Sequence, residues 1–331
     1  MCKENVMNET ILITGAAGFI GFHTAKNLLD SGKKIVGIDN LNDYYDVSLK
    51  ESRLEILNKY KNFSFHRISI ENKEEMEKLW SDYGSFKNVI HLAAQAGVRY
   101  SLEDPYSYIK SNCLGHLTVM EMCRHTEDFE HLVYASSSSV YGGNDKIPFS
   151  IDDDVNSPVS LYAATKRSDE LMSHTYSKLY KIPQTGLRFF TVYGPWGRPD
   201  MAYYSFTKAI IENKKIDVFN NGDMSRDFTY VDDIVSGIIS ALNTKPEDNQ
   251  IPHQIFNLGN NKSEKLMDFI NVIEKTLDKK ANMNMVGMQK GDVERTYADI
   301  DISIKRLGYK PTTTIKEGIP IFIEWYKGYY K

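Results

Sequence analysis

The sequence predicts a doubly wound α/β fold, and three observations predict it. A short apolar strand, Thr10-Ile-Leu-Ile-Thr14, runs into Gly15-Ala-Ala-Gly18-Phe-Ile-Gly21 and then an amphipathic stretch from Phe22 to Asp30. A second strand, Lys34-Ile-Val-Gly-Ile-Asp39, closes the β-α-β unit on an acid about 20 residues beyond the glycines. Apolar segments then keep alternating with amphipathic ones: Phe63 to Ile70, Asn88 to Ala93, His131 to Ala135 and Thr185 to Phe189 read as further parallel strands. Parallel strands need helical crossovers that cover both faces of the sheet, and the segments between them supply the length.

The first unit has a chemical reading. Glycines at the turn let the backbone approach a pyrophosphate, whose charge is met by the amides that open the helix. The spacing is G-x-x-G-x-x-G rather than the commoner G-x-G-x-x-G. Asp39 stands where a carboxylate accepts the ribose hydroxyls of a dinucleotide. The same charge repels a 2′-phosphate, so NAD is expected over NADP.

Two later segments carry the candidate chemistry. Ser136-Ser137-Ser138-Ser139 follows the strand His131 to Ala135, which sets its hydroxyls at the carboxyl edge of the sheet, where open α/β sheets bind ligands. Tyr162-Ala-Ala-Thr-Lys166 places a phenol and an ammonium one helical turn apart on a single face. A free phenol ionises at a pH of about 10. A neighbouring lysine and a nicotinamide cation favour the tyrosinate, giving a general base that takes a hydroxyl proton while hydride leaves the same carbon. After Gly194 the rhythm breaks at Pro195-Trp-Gly-Arg-Pro199 into mixed helix and short strands, with a polar loop from Asn243 to Pro252. The chain shows no internal repeat or low-complexity tract.

Composition excludes more than it selects. With 331 residues, 41% of them hydrophobic, the chain can bury roughly three-quarters of its unfolded surface in one large core or two smaller ones. A net charge of −4 leaves no basic field for nucleic acid. Cys2, Cys113 and Cys123 are too few and too irregular for a disulfide framework or a metal site, and the latter two read as helix packing. His91 reads as a packed, hydrogen-bonded histidine, while His116 and His125 lack metal-ligand spacing, so no metal is expected. The ending from Trp325 to Tyr330 has no interleaved basic patch and reads as packing. With no signal-peptide pattern and no apolar run long enough to cross a bilayer, a cytoplasmic protein without a membrane partner is expected.

These motifs together resemble the extended short-chain dehydrogenase/reductase superfamily and, within it, the nucleotide-sugar epimerases. The matching segments are Thr14 to Gly21, Asp39-Asn40, His91-Leu-Ala-Ala-Gln-Ala-Gly97, Asn112, Ser136 to Gly142, Tyr162 to Lys166, Arg226-Asp-Phe-Thr-Tyr-Val-Asp-Asp233 and Gly291-Asp292. More narrowly, Asn42-Asp-Tyr-Tyr-Asp46, Ala96-Gly-Val-Arg-Tyr-Ser101 and Leu187-Arg-Phe-Phe-Thr-Val-Tyr-Gly-Pro-Trp-Gly-Arg-Pro-Asp200 look like UDP-glucuronate 4-epimerases.

The resemblance implies a Rossmann sheet with a smaller α/β substrate domain: an NAD-binding unit of residues 1–190 with about 228–258, and a UDP-sugar unit of about 191–227 with 259–331. It implies that Gly15, Gly18, Gly21, Asp39, Asn40 and Ala93 surround the cofactor, with Lys166 on the nicotinamide ribose. Ser137 would hydrogen-bond the reacting sugar hydroxyl beside Tyr162. Arg226 matches a phosphate-binding arginine and Asp292 a ribose-binding acid, while Arg198 is left open among carboxylate, diphosphate and uridine ribose. Related dehydratases and decarboxylases carry a glutamate in the second position after Ser137; here Ser138 and Ser139 stand there, which points to epimerisation without further chemistry. Ser137, Ser138, Ser139 and Thr191 form a neutral cradle of hydroxyls suited to a uronate carboxylate, whose burial beside a glutamate would be costly. Thr191 replaces the asparagine of UDP-galactose 4-epimerases. Ser69 replaces an aspartate that contacts adenine in relatives, which would weaken that contact slightly.

The expected reaction is NAD-dependent conversion of UDP-glucuronate to UDP-galacturonate, a polysaccharide precursor. The alternatives are epimerisation of neutral UDP-hexoses, decarboxylation to a pentose, or a catalytically silent nucleotide sensor, which need not keep Ser137, Tyr162 and Lys166 together. The helices around 105–123 and 161–180 would, by resemblance, pack against their copies in a homodimer.

Overall fold

The computed structural model describes residues 10–247, 251–289 and 292–331, so Cys2 and Gly291 lie outside the described residues. Strands and helices alternate from the start: β1 (Thr10–Thr14), α1 (Phe19–Asp30), β2 (Lys34–Asp39), α2 (Val47–Leu57), β3 (Phe63–Arg67), α3 (Lys73–Tyr83) and β4 (Asn88–His91). A broken helix follows, made of α4 (Pro105–Tyr108), a π-helical stretch over Ile109–Leu114, and α5 (Gly115–Arg124). Then come β5 (His131–Ser137), α6 (Leu161–Tyr180), β6 (Gln184–Phe189), β7 (Thr191–Tyr193), α7 (Ala202–Ile211) and β8 (Lys215–Val218). The chain finishes with β9 (Ser225–Tyr230), α8 (Val231–Leu242), β10 (His253–Leu258), β11 (Ser263–Lys265), α9 (Leu266–Leu277), β12 (Asn282–Met285), α10 (Asp301–Leu307) and α11 (Ile315–Tyr329).

Among the described residues, seven strands form one parallel sheet in the order β10-β6-β5-β4-β1-β2-β3. The order reverses between β1 and β4, and the ligand crevice of a doubly wound sheet opens at that point. Both faces are buried, as a parallel sheet requires. Ile11, Ile13, Ile35, Ile90 and Val133 point to the face covered by α1 and α8, while Leu12, Val36, Val89 and Leu132 meet Leu79, Trp80, Val119 and Met120 of α3 and α5 on the other. Period-two alternation along each strand feeds both cores. Two small sheets lie apart from the main one: β7 and β9 pair in parallel with β11 antiparallel to β9, and β8 pairs with β12.

Several strand ends differ from the sequence reading, and each end is set by a partner. β3 stops at Arg67 rather than Ile70 because β2, its neighbour in the ladder, stops at Asp39. β4 stops at His91 rather than Ala93 because β1 gives way to the glycine turn; the Ala93 amide donates instead to Thr14 Oγ1 at 3.1 Å. β5 continues two residues beyond Ala135, since β6 pairs with it as far as Ser137 opposite Phe189. Ser136 and Ser137 are therefore strand residues, and Ser138 and Ser139 begin a 3-10 turn capped by the Ser137 hydroxyl. Helix α6 starts where its cap dictates: the Ser160 side chain accepts the Ala163 amide.

Candidate active site

The glycine turn is built by close approach. Gly15 has a φ of 72°, in the left-handed region, and a Cβ there would come within 2.8 Å of the Ala93 nitrogen. A Cβ on Gly21 would overlap the Gly15 carbonyl oxygen, so helix α1 packs against the turn only because both residues lack side chains. Gly18 caps α1 without a side-chain hydrogen bond, and the first turn holds no acid. Gly18, Phe19, Ile20 and Gly21, at the helix N-terminus, line the cavity, the arrangement that binds a phosphate. At the end of β2 the buried carboxylate of Asp39 accepts the amides of Ala17 (3.2 Å) and Leu41 (2.9 Å), which fixes it beside the turn. A cradle without Cβ atoms, free first-turn amides and a fixed acid suit a dinucleotide such as NAD.

One cavity of about 1140 Å³ runs from this turn across the carboxyl edge of the sheet. Gly15, Gly18, Gly21, Asp39, Asn40 and Ala93 line it, as do Ser137, Ser138, Ser139, Tyr162, Lys166 and Thr191, and Arg198, Arg226 and Asp292. All the site residues expected from sequence thus border one space. Ser69 does not, although the adjacent Ile70 does.

Tyr162 stands near the start of α6 with its ring edge-on to Tyr108, the centroids 6.1 Å apart. The backbone beneath it is tied down by Asn112 in the π-helical stretch, which donates to Thr165 Oγ1 (3.0 Å) and to the Gln95 carbonyl (3.2 Å) and accepts the Gln95 amide (2.8 Å). Thr165 Oγ1 in turn donates to the Tyr162 carbonyl at 2.8 Å. The Lys166 ammonium is buried and donates to the Ala135 carbonyl (3.0 Å) and to Asp169 Oδ2 (3.1 Å). Burial pushes the Asp169 carboxyl up to about 7 against the pull of Lys166. Asp169 was not singled out from sequence, although its place three residues after Lys166 on one helix was a usable signal.

The hydroxyls divide by direction. Ser136 Oγ donates to Glu170 Oε1 at 2.6 Å, inside a buried cluster where Glu170 also accepts Arg188 at 2.8 and 2.9 Å and Arg167 at 3.0 Å. Ser137 Oγ accepts the Ser139 amide and donates to Ser139 Oγ, both at 3.1 Å. Thr191 opens β7 opposite Phe228 of β9.

Both arginines are ion-paired inside the cavity. Arg198 grips Asp200 with two bonds, Nε to Oδ1 at 3.0 Å and Nη2 to Oδ2 at 2.7 Å, and Tyr44 Oη adds a third at 3.2 Å. Burial opposes ionisation of Asp200, but Arg198 holds its carboxyl below the usual range. Arg226 Nη2 donates to Asp292 Oδ1 at 2.6 Å, so two residues given separate ligand roles by the sequence reading touch each other. Tyr44, Asp200 and Arg99 line the cavity as well; the segments containing them carried the resemblance, but the residues themselves were not named as site residues.

His91 and His116 are structural. His91 is buried, hydrogen-bonded to Thr14 Oγ1 at 2.7 Å and stacked on His116, and burial pulls it down to about 3. His116 is buried and bonds Ser173 Oγ at 2.8 Å. Cys123 is buried and Cys113 half-buried, both with free thiols. No group of His, Cys, Asp and Glu among the described residues could hold a metal ion.

A doubly wound sheet with this glycine turn, a Tyr-Lys helix and a serine-rimmed cavity defines a nucleotide-cofactor enzyme that works on an alcohol carbon. The chain belongs to the NAD dependent epimerase/dehydratase family, whose model matches residues 11–259. Its relatives narrow the class. It is 46% identical to UDP-glucuronate 4-epimerase 4 of Arabidopsis thaliana over 97% of this chain and 76% of that protein, and 50% identical to Protein CapI of Staphylococcus aureus over 97% and 99%. A crystal structure of the Bacillus cereus UDP-glucuronic acid 4-epimerase in complex with UDP-glucuronic acid and NAD superposes with a TM-score of 0.90 at 36% identity, covering 97% of this chain and all of that one.

Proposed function

We propose that the protein is an NAD-dependent UDP-glucuronate 4-epimerase, an isomerase that makes UDP-galacturonate through a 4-keto intermediate. The observation that carries this reading is the rim of Ser137, Ser138, Ser139 and Thr191 in the same cavity as Tyr162 and Lys166, with a hydroxyl at residue 139 where an acid would serve elimination or decarboxylation. Bound NAD supplies the hydride acceptor and donor for carbon 4. Tyr162 takes the proton of the 4-hydroxyl and later returns it, and Ser137 hydrogen-bonds that oxygen. Lys166 supports the ionised phenol and holds the nicotinamide ribose. Gly15, Gly18 and Gly21 admit the pyrophosphate, with Asn40 and Ala93 beside it, and Asp39 holds the adenosine ribose. Arg226 neutralises the diphosphate, Asp292 holds the uridine ribose, and Arg198 supplies the remaining charge near the substrate. Ser138, Ser139 and Thr191 hold the uronate carboxylate.

The same reading assigns residues 1–190 with about 228–258 to the cofactor and about 191–227 with 259–331 to the sugar nucleotide, in keeping with the separate small sheets. It makes the protein a cytoplasmic homodimer that serves polysaccharide biosynthesis. The dimer is supported by exposed apolar side chains on the two helical segments: Tyr106, Ile109 and Leu114 on one, Leu171 and Leu179 on the other. No helix among the described residues is long and apolar enough to cross a membrane. Incubation with UDP-glucuronate, UDP-glucose and UDP-N-acetylglucosamine, with products separated by chromatography, tests the assignment. UDP-glucuronate is expected to be the preferred substrate, and preference for a neutral sugar would overturn it.

A further inference from the structure

The segment that carries Arg198 is held by side chains of α1 and α2. Three successive carbonyls, those of Pro195, Trp196 and Gly197, accept hydrogen bonds from residues near the glycine turn. His23, on α1, bonds the Pro195 oxygen through Nε2 at 2.9 Å, and burial pulls its pKa down to about 4. Arg53, on α2 and fully buried, donates through Nη2 to the Trp196 oxygen at 2.6 Å and, more weakly, to the Gly197 oxygen at 3.4 Å. Its Nη1 donates to the Ala17 carbonyl within the glycine turn (2.7 Å) and to Tyr45 Oη (2.8 Å). One guanidinium therefore spans the glycine turn, the loop before α2 and the strap leading to Arg198.

The strap would not hold this shape unaided. Trp196 has a φ of 60°, a left-handed conformation that is a genuine outlier for a bulky side chain and persists only where its surroundings impose it. Its ring is wedged among Phe22, Trp325 and Tyr329, with centroids 5.7, 5.2 and 5.2 Å away. Gly197 packs so closely on the Tyr203 hydroxyl that a Cβ would overlap it. Strain of this kind, immediately before a cavity-lining arginine, is what a pre-set binding group needs.

We propose that His23 and Arg53 form a clamp that presets Arg198 for the sugar nucleotide, making them positioning residues that act through Arg198 rather than by touching substrate. The inference deepens the proposed function and rests on Arg198 engaging the substrate. A double-mutant cycle on the holoenzyme tests it. Arg53→Lys keeps the charge but loses the fork geometry, and it is expected to raise KM for UDP-glucuronate on the order of tenfold, the scale of one lost charge-assisted hydrogen bond, with a smaller change in kcat. In an Arg198→Ala background the same substitution is expected to change KM by less than about twofold. Should Arg53→Lys fail to fold, His23→Phe, which keeps the ring contacts with Phe19 and Phe22, enters the same cycle with the same expected non-additivity. Equal effects in both backgrounds would assign the clamp to general stability and overturn the inference, as would an Arg198→Ala variant with unchanged KM. Wild-type turnover of UDP-glucuronate in the same series separates either result from a failure of the functional reading itself.

Discussion

A 4-keto uronate is a β-keto acid, and it loses carbon dioxide readily when the bond to its carboxylate aligns with the carbonyl π-system. The hydroxyl cradle is therefore expected to hold the carboxylate out of that alignment as well as to bind it. Thr191→Ala is the cleaner perturbation, because β7 pairs with β9 through backbone atoms and only the hydroxyl and its neighbouring methyl are lost. Ser139→Ala removes in addition the acceptor that Ser137 Oγ now uses at 3.1 Å. A hydrogen bond to a charged group contributes about 1.5–3 kcal/mol, so each variant should lose roughly 10- to 100-fold in kcat/KM on UDP-glucuronate. Of the product that does form, a larger share should be UDP-pentose, measured by chromatography of quenched reactions and by carbon dioxide release. Ser139→Ala should show the larger share, since it also frees the Ser137 hydroxyl. If both variants slow epimerisation with no rise in pentose, the cradle only binds, and the intermediate is protected by other means.

Three further outcomes follow from named contacts. Asp39→Ala should weaken NAD binding about tenfold or more and narrow its advantage over NADP, because it removes the ribose acceptor and the anchor of the Ala17 and Leu41 amides; titration of the apoprotein with both cofactors checks this. Glu170→Gln leaves the buried Arg188 charge poorly paired, at a cost of about 3–5 kcal/mol. With an unfolding entropy of about 2 cal/mol/K per residue, Tm should fall about 4–7 °C in a melting scan. His131 is buried and neutral, pulled down to about 4 by burial, so its contribution is present above pH 6.5 and is lost as pH falls towards 4. The stability difference between wild type and His131→Asn should therefore shrink over that window in denaturant titrations.

What was legible in the sequence was local. Gly15, Gly18 and Gly21 are dictated by backbone contacts only a few residues away or across one strand pair, and Tyr162 and Lys166 by the pitch of a single helix. The serine run could be placed at a sheet edge because a strand led into it. What sequence could not supply were pairings between distant segments. Nothing local says that Arg226 meets Asp292, that the Arg53 guanidinium closes over the Trp196 carbonyl, or that His116 turns inward to Ser173. Strand ends were misjudged for the same reason, since β3 and β5 end where their neighbours do and not where their own hydrophobicity does. The Lys166 contact with Asp169 is an intermediate case, local in spacing yet set apart only by the burial that moves its carboxyl.

The central claim is that this cavity inverts carbon 4 of UDP-glucuronate by removing and returning the same hydride, with Tyr162 carrying the proton. The most direct measurement supplies the holoenzyme with UDP-glucuronate bearing deuterium at carbon 4 and follows the product by mass spectrometry and NMR. The account predicts UDP-galacturonate with the label retained at carbon 4, and loss of turnover in Tyr162→Phe while NAD and substrate still bind. Label washed out into water, pentose as the main product, or near-normal turnover in Tyr162→Phe would contradict it.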